Sequence, residues 1–396
     1  TTIAAIKLLG MDYRFNTSFY YDGEIKAGTL NGNIYIKGGG DPTIYLETMY
    51  TIAKKIKKYG INNINGNIYG DESFFDTDYY PIGWNKAEDG EPYLALISAL
   101  SFNFNAIDFS VVPTEKNKVT VSTDPPIPTI KIINQIKASP TEKTWITIKH
   151  SFTNNKDTYL LEGTYNTKHK PRTYYFTVKA PSTFFLNSLK GYLKSVGVYL
   201  HGALEMKKVP DNASLLFEHK SKELSQILRD MNKYSSNFIA NQLVKTIAAT
   251  TLKKPGTFKE GADLIFDYFA KNKFKTEGIK IIDGSGLSYD NRMTTQFIAE
   301  LLEFAYNDLR IYPEIVYSLS IMGVDGSVKK WDLRDEHYGR VRVKTGTLAK
   351  AVSLSGYTQL KDGKEVVFAM IFNNFNCCIY KIREIEKKII QSLLNP

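Results

Sequence analysis

Residues 341–348 read Val341-Arg342-Val343-Lys344-Thr345-Gly346-Thr347-Leu348, and this segment predicts a β-strand that runs into a K-T-G triplet. Its first residues alternate apolar and charged side chains, which is the period of a half-buried strand. Two more strand patterns follow at 352–360 and 365–373, and a helix pattern covers about 379–394. Successive strands joined by short turns form antiparallel sheets. We therefore expect an α/β fold with an antiparallel sheet covered by helices.

The rest of the chain alternates helical and β-rich regions. The first nine residues look like the end of a helix that stops at Gly10. Residues 106–180 are rich in Thr, Val, Ile and Tyr, which predicts a large, mostly β insert. A long helical region follows at about 222–252, and its apolar spacing lapses at 232–237. A break there would expose polar side chains at a junction between two helices.

Composition excludes several classes of protein. The chain has 396 residues, 43% hydrophobic and 23% charged, which is globular rather than disordered or collagen-like. The net charge of +10 suggests an anionic partner or a generally basic proteome, and no nucleic-acid motif accompanies it. We therefore expect no nucleic-acid binding, although a salt-dependent binder supported by charge alone is a third possibility. The sequence contains no run of about 18 apolar residues, so it predicts no transmembrane helix.

No metal or cofactor is expected from the cysteine and histidine spacing. Cys377 and Cys378 are adjacent, which is neither a metal-ligand spacing nor a disulfide framework, and we expect them to be packing residues. The five histidines lie far apart in the sequence, so a metal site or a Ser-His dyad has no local support.

The K-T-G triplet combines groups that suit recognition of an anion. Lys344 supplies a positive charge, and Gly346 allows close approach to the strand backbone. Thr345 and Thr347 offer hydroxyl groups for a carboxylate, and strand N–H groups can face a developing oxyanion. Taken alone the triplet is a weak signal.

A second short pattern, S-x-N, occurs twice, at Ser235-Ser236-Asn237 and at Ser101-Phe102-Asn103. We favour Ser235 because it lies in the lapse between two helical segments, where a side chain can face a cleft. A serine hydroxyl there can relay a proton, and the Asn237 amide can hold a peptide group. A polar helix end is the simpler explanation of either occurrence.

Together these patterns resemble the active-site serine penicillin-recognising enzymes, whose motifs are S-x-x-K, S-x-N and K-T-G. Four segments narrow the resemblance to the class C low-molecular-mass penicillin-binding proteins, the D-Ala-D-Ala carboxypeptidase/endopeptidase family of peptidoglycan. They are Leu9-Gly10-Met11-Asp12-Tyr13-Arg14-Phe15, Gly32-Asn33-Ile34-Tyr35-Ile36-Lys37-Gly38-Gly39-Gly40-Asp41-Pro42-Thr43, Asp283-Gly284-Ser285-Gly286-Leu287-Ser288 and Lys344-Thr345-Gly346-Thr347-Leu348. The resemblance implies a penicillin-binding, serine β-lactamase-like core at 1–20 and 215–396. Residues 21–214 would form an inserted region of two smaller domains.

The resemblance also implies roles for individual residues. Ser235 would shuttle a proton, Asn237 would hold the acyl-side amide, and Lys344 would set the local positive potential. The substrate-binding residues would be Thr345, Gly346, Thr347 and Leu348 of the K-T-G segment, together with Asp89 and Tyr289. Tyr289 stands where relatives that recognise diaminopimelate often carry Arg, and Asp89 matches an insert position that can meet the substrate's free amino end. A turn residue before Gly90 is the alternative for Asp89.

The nucleophile motif S-x-x-K departs from the family pattern. The resemblance places its Lys about three residues, and its Ser about six residues, before Thr1. The S-x-x-K at Ser327-Val328-Lys329-Lys330 lies where the family has a structural turn, and we reject it as the nucleophile. We read the chain, which opens on Thr1-Thr2 without Met, as a mature or trimmed chain that starts after the active serine. Loss of the serine is the alternative.

The function implied is a serine D-Ala-D-Ala carboxypeptidase or endopeptidase of the cell envelope or periplasm. It would act on peptidoglycan stem peptides through an acyl-enzyme and be inhibited by β-lactam antibiotics, without a cofactor. The alternative is a catalytically inactive relative that binds peptidoglycan and lacks the nucleophile.

Overall fold

The computed structural model describes residues 1–84, 90–115, 118–124, 130–153, 156–331 and 338–395. The chain forms two compact units. Unit 1 comprises Thr1–Arg14, Tyr80–Trp84 and Lys222–Pro396, and unit 2 comprises Phe15–Tyr79 and Asn85–Ser221.

Helix ends follow local sequence signals. The hydroxyls of Thr257 and Thr294 accept hydrogen bonds from the backbone N–H groups of Glu260 and Phe297, which are otherwise unpaired in a first helical turn. Gly10, at φ 93°, ends the first helix as predicted. The helices among the described residues are α1 (Thr2–Leu9), α2 (Leu46–Lys58), α3 (Pro181–Ser195), α4 (Leu224–Tyr234), α5 (Asn237–Leu252), α6 (Phe258–Lys271), α7 (Thr295–Tyr306), α8 (Tyr312–Ser318) and α9 (Ile379–Leu394). None of these helices combines the length and the apolar character needed to cross a membrane.

The strands fall mainly in unit 2. Those of unit 2 are β1 (Asn16–Tyr21), β2 (Glu24–Lys26), β3 (Thr29–Asn31), β4 (Ile34–Lys37), β5 (Asn63–Ile64), β6 (Ile68–Asp71), β7 (Ala106–Thr114), β8 (Lys118–Asp124), β9 (Lys131–Ser139), β10 (Trp145–Thr153), β11 (Lys156–Asn166), β12 (Arg172–Thr177), β13 (Tyr199–Leu200), β14 (Leu204–Met206) and β15 (Ser214–Lys220). Those of unit 1 are β16 (Ser320–Ile321), β17 (Val341–Leu348), β18 (Ala351–Gln359) and β19 (Glu365–Asn373).

The sheet of unit 1 has the order β16-β17-β18-β19, and every neighbouring pair is antiparallel. Val341, Val343 and Leu354 are fully buried in one cluster with Ile390 and Leu394 of α9. The apolar face of the terminal helix therefore covers the sheet, and the predicted α/β fold with an antiparallel sheet covered by helices is confirmed.

Unit 2 is the β-rich part of the chain. Its described strands form a five-stranded sheet (β14-β6-β4-β1-β15), a four-stranded sheet (β13-β5-β3-β2) and two three-stranded sheets (β10-β11-β9 and β12-β7-β8). Helices α2 and α3 pack against each other and contribute to its core. Large buried side chains such as Phe19, Phe109, Tyr159 and Phe185 fill that core. The mostly β character predicted for the insert is confirmed.

One packing prediction is wrong. Cys377 and Cys378 are both exposed rather than packed. They lie after the end of β19, and Cys378 immediately precedes α9. The apolar run of the strand ends before them, so neither side chain belongs to the buried face.

Candidate active site

The S-x-N segment forms a sharp connection between two helices. Helix α4 ends at Tyr234, and Ser235 adopts the left-handed conformation with φ 54° and ψ 49°. Ser236 caps α5 by accepting a hydrogen bond from the Ile239 N–H, and Asn237 is the first residue of that helix. A left-handed serine is uncommon and costs free energy, and such strained residues cluster at functional sites. The predicted break in the long helical region is confirmed.

A buried lysine anchors the end of α4. Lys233, which is 6% exposed, donates to the Asp325 carboxylate at 2.6 Å and to the Leu319 carbonyl oxygen at 2.9 Å. The carbonyl of Lys233 also accepts a hydrogen bond from the Ser320 hydroxyl at 3.4 Å. Because Ser320 begins β16, these contacts tie the residues before Ser235 to the edge of the sheet that carries K-T-G.

The lysine of K-T-G meets the serine of S-x-N. The ammonium group of Lys344 donates to the Ser235 hydroxyl oxygen at 2.6 Å and to the Thr345 carbonyl oxygen at 2.7 Å. Both partners are neutral, and Lys344 has no carboxylate partner among the described residues. Burial, followed by the nearby charge of Arg383, lowers the pKa of Lys344 to about 8. A half-buried cation without a counter-ion is suited to receive an anionic group.

The remaining K-T-G residues are held by specific neighbours. The hydroxyl of Thr345 is hydrogen-bonded to that of Ser327 at 2.8 Å. A Cβ atom on Gly346 would lie 2.4 Å from the Ser353 Oγ atom on the paired strand β18, so a larger residue would require the Ser353 hydroxyl to move. The exposed Thr347 hydroxyl accepts a hydrogen bond from Arg383. Leu348 is the last residue of β17 and is partly buried. Ser327, the serine of the rejected S-x-x-K motif, therefore contacts the K-T-G segment.

The Asp-Gly-Ser-Gly loop is built around one buried carboxylate. Asp283, 4% exposed, accepts hydrogen bonds from five donors. They are Trp84 Nε1 at 2.8 Å, Ser285 Oγ at 3.0 Å, Gly286 N at 2.7 Å, Ser288 N at 3.0 Å and Asn291 Nδ2 at 3.0 Å. The Gly284 N–H donates to the Asn241 side chain of α5 at 2.8 Å, so the loop is fixed to the helix that Asn237 begins.

The structure does not test the roles predicted for two further residues, Tyr289 and Asp89. The Tyr289 side chain is 51% exposed, and its backbone carbonyl accepts a hydrogen bond from Arg292 at 2.7 Å. Tyr289 makes no hydrogen bond with Ser235 or Lys344 within the described part of the chain. Asp89 lies outside the described residues. The assigned roles of both stay predictions.

The sequence analysis assigned no role in the site to four residues that contribute to it: Lys233, Trp84, Asp283 and Arg383. The signal for Asp283 was present, because an Asp followed by Gly-Ser-Gly is typical of a carboxylate that caps a tight loop. Arg383 and Lys233 had no such signal, since their partners lie far away in the sequence. No group of three or more His, Cys, Asp or Glu side chains arranged for a metal ion occurs in the parts of the chain that the structure describes.

The contact between the S-x-N serine and the K-T-G lysine joins the helices to the antiparallel sheet, as the resemblance to the active-site serine penicillin-recognising enzymes implies. A sequence model of the D-Ala-D-Ala carboxypeptidase 3 (S13) family matches residues 1–393. The chain belongs to this family. The predicted class, a serine-type D-Ala-D-Ala carboxypeptidase, is therefore confirmed.

Individual relatives agree with this assignment. The chain is 25% identical to D-alanyl-D-alanine carboxypeptidase DacB of Haemophilus influenzae over 384 residues, covering 95% of this chain and 79% of the relative. It is 28% identical to a D-alanyl-D-alanine carboxypeptidase of Actinomadura sp. (strain R39) over 396 residues, covering 94% and 71%. The fold is similar to that of penicillin-binding protein 4 from H. influenzae, with a TM-score of 0.85 at 24% identity, over 99% of this chain and 89% of the other.

Proposed function

We propose that the protein removes the terminal D-Ala from peptidoglycan stem peptides in the cell envelope and that β-lactams acylate it. The observation that carries this proposal is the 2.6 Å hydrogen bond from Lys344 to Ser235, which joins the two motifs. The family assignment gives the reaction class, and the unpaired positive charge of Lys344 fits a substrate with a free terminal carboxylate. A solved complex of penicillin-binding protein 4 from H. influenzae with a β-lactam supports the second part.

The reaction would use Ser235, Lys344 and a serine that the resemblance places before Thr1. The serine oxygen attacks the carbonyl carbon of the penultimate D-Ala, and the serine proton passes to its lysine. Collapse of the tetrahedral intermediate breaks the C–N bond, and the leaving amine takes a proton through Ser235. Water then attacks the ester and releases the shortened peptide, restoring the serine proton. The net reaction consumes one water and one peptide bond.

The residues near Ser235 support the expected place of the nucleophile. The Thr2 hydroxyl donates to the Asn232 side chain at 3.0 Å, three residues before Ser235. The first turn of α1 therefore lies beside the S-x-N connection. A serine shortly before this turn would be close to the Ser235–Lys344 pair.

Covalent labelling of the full natural protein tests the proposal. The protein is incubated with benzylpenicillin, and intact mass and peptide mapping follow. A stoichiometric adduct on a serine preceding Thr1, with release of D-Ala from a D-Ala-D-Ala peptide, is the expected result. A folded protein with no adduct and no D-Ala release would instead identify the inactive, peptidoglycan-binding relative. An adduct on Ser327 would refute the assignment of the nucleophile.

A further inference from the structure

Arg383, on the terminal helix α9, reaches the end of the K-T-G strand. Its Nη2 donates to the Gly346 carbonyl oxygen at 2.7 Å and also to the Thr347 hydroxyl. Its Nη1 donates to the Ser353 carbonyl oxygen on β18 at 3.3 Å. One guanidinium group therefore bridges β17 and β18 at the end of β17 that carries the candidate carboxylate-binding threonines.

A buried carboxylate holds the guanidinium in this position. Glu386, one helical turn later and 0% exposed, accepts a hydrogen bond from Arg383 Nη1 at 2.6 Å. The pKa of Glu386 is raised above its usual value, because the effect of burial exceeds the opposing effects of the Arg383 hydrogen bond and charge. The guanidinium also lies 5.7 Å from the centre of the Trp331 ring. The planar guanidinium group is hydrogen-bonded to strand carbonyls and to a buried carboxylate, so few side-chain rotamers of Arg383 satisfy all of these contacts. The side chain is therefore held in one position.

The hydrogen-bond chemistry fixes the direction of the Thr347 hydroxyl. A guanidinium can only donate, so the Thr347 oxygen must accept from it. The single O–H proton of Thr347 is then free to donate elsewhere. Thr347 is exposed, so this proton is available to a ligand. Without Arg383, the same hydroxyl can rotate and donate its hydrogen bond to the neighbouring backbone or to water.

We propose that Arg383 is a positioning residue for recognition of the substrate's terminal carboxylate, because it orients the Thr347 hydroxyl as a donor and fixes the K-T-G strand end. The inference rests on the proposed function, since it requires a substrate with a free carboxylate at K-T-G. It predicts selectivity between a free carboxylate and a neutral carboxamide. A structural role alone predicts no such selectivity.

The test uses the full natural protein and two acyl-D-Ala-D-Ala peptides, one with a free carboxylate and one with a terminal carboxamide. For Arg383→Met we expect kcat/KM to fall on the order of tenfold or more for the carboxylate, largely through KM, and far less for the carboxamide. Arg383→Lys, which keeps the charge and one donor, should restore part of the loss. Arg340→Met is the matched control. Arg340 also donates to a strand carbonyl of this sheet, that of Gln359 at 2.5 Å, and is not part of the site.

A folding defect is separated from a recognition defect by a second variant. Arg383→Met leaves Glu386 buried without its partner, so the double variant Arg383→Met/Glu386→Gln removes that charge as well. Its carboxylate-to-carboxamide ratio should match that of the single variant. If Arg383→Met lowers kcat/KM by the same factor for both peptides, the carboxylate-to-carboxamide ratio stays at its wild-type value. That result would overturn the inference while leaving the proposed function intact. A wild-type protein that hydrolyses neither peptide would instead overturn the proposed function, and the inference with it.

Discussion

Replacing Asp283 by Asn tests whether one carboxylate organises the loop at residues 283–291. The carboxylate has two acceptor oxygens, and five donors point at them. Gly286 N and Asn291 Nδ2 donate to Oδ1, and Trp84 Nε1, Ser285 Oγ and Ser288 N donate to Oδ2. An amide keeps one acceptor oxygen and turns a donating NH₂ group toward the other set. At least two donors then lose their acceptor in a buried place.

The magnitude follows from that count. A hydrogen bond to a charged group contributes about 1.5–3 kcal/mol, so the loss of two predicts a destabilisation of about 3–6 kcal/mol. Values above about 4 kcal/mol are exceptional for a single substitution and come from disrupted buried networks. The same substitution at Asp290, which is exposed in the same loop, should change stability by at most about 0.5 kcal/mol.

Urea unfolding with intrinsic fluorescence measures the difference, and hydrogen exchange of two amides localises it. Gly286 and Ser288 donate their backbone N–H groups to Asp283, so faster exchange of at least one of them should accompany the lost stability. Two compact units can unfold separately, and the transition assigned to unit 1 is the one to compare. If Asp283→Asn costs less than about 1 kcal/mol and both amides stay protected, the carboxylate does not organise this loop.

Two further predictions concern pH. Burial, with the charge of Arg383, lowers the pKa of Lys344 to about 8, so kcat/KM for a carboxylate-ended peptide should fall roughly tenfold per pH unit above 8. A pH–rate profile up to pH 10 measures this, and a flat profile would contradict the role of the charge. Burial raises the pKa of Asp41 from 3.8 to about 6, so between these pH values the folded state holds a proton that the unfolded state has lost. The free energy of unfolding therefore falls as pH rises from about 4 to 6. Asp41→Asn should therefore stabilise the protein at pH 7 by up to about 3 kcal/mol, and urea unfolding at pH 4 and pH 7 that shows no pH-dependent gain would refute this.

The elements that the sequence predicted best are those with a strong local period. The strand 341–348 and the helix near 379–394 have the predicted character because their apolar side chains repeat with the period of the face they bury. The break at Ser235 was visible for the same reason, since apolar spacing lapses where the backbone turns left-handed. The cysteine prediction failed because a strand's apolar run does not show where its last buried residue lies.

The parts of the site that escaped prediction depend on contacts between distant segments. Lys233 contacts Asp325 because α4 ends beside β16. Arg383 contacts Thr347 because α9 packs on the sheet. Lysine and arginine are common on exposed helix faces, so neither residue type nor spacing distinguishes these two. The motifs themselves were readable because each keeps its chemistry within three residues, whereas their supporting residues are set by topology.

The charge at K-T-G has a local origin rather than reflecting the net charge of +10. Lys233 is paired with Asp325, and Arg383 is paired with Glu386, so each of these cations has a carboxylate partner. Lys344 has only a hydroxyl and a carbonyl oxygen as partners among the described residues. Its depressed pKa shows that the folded protein holds this charge at a free-energy cost. A ligand that brings a carboxylate to Lys344 offsets that cost, so the burial that disfavours the charge also favours binding of an anion at this position.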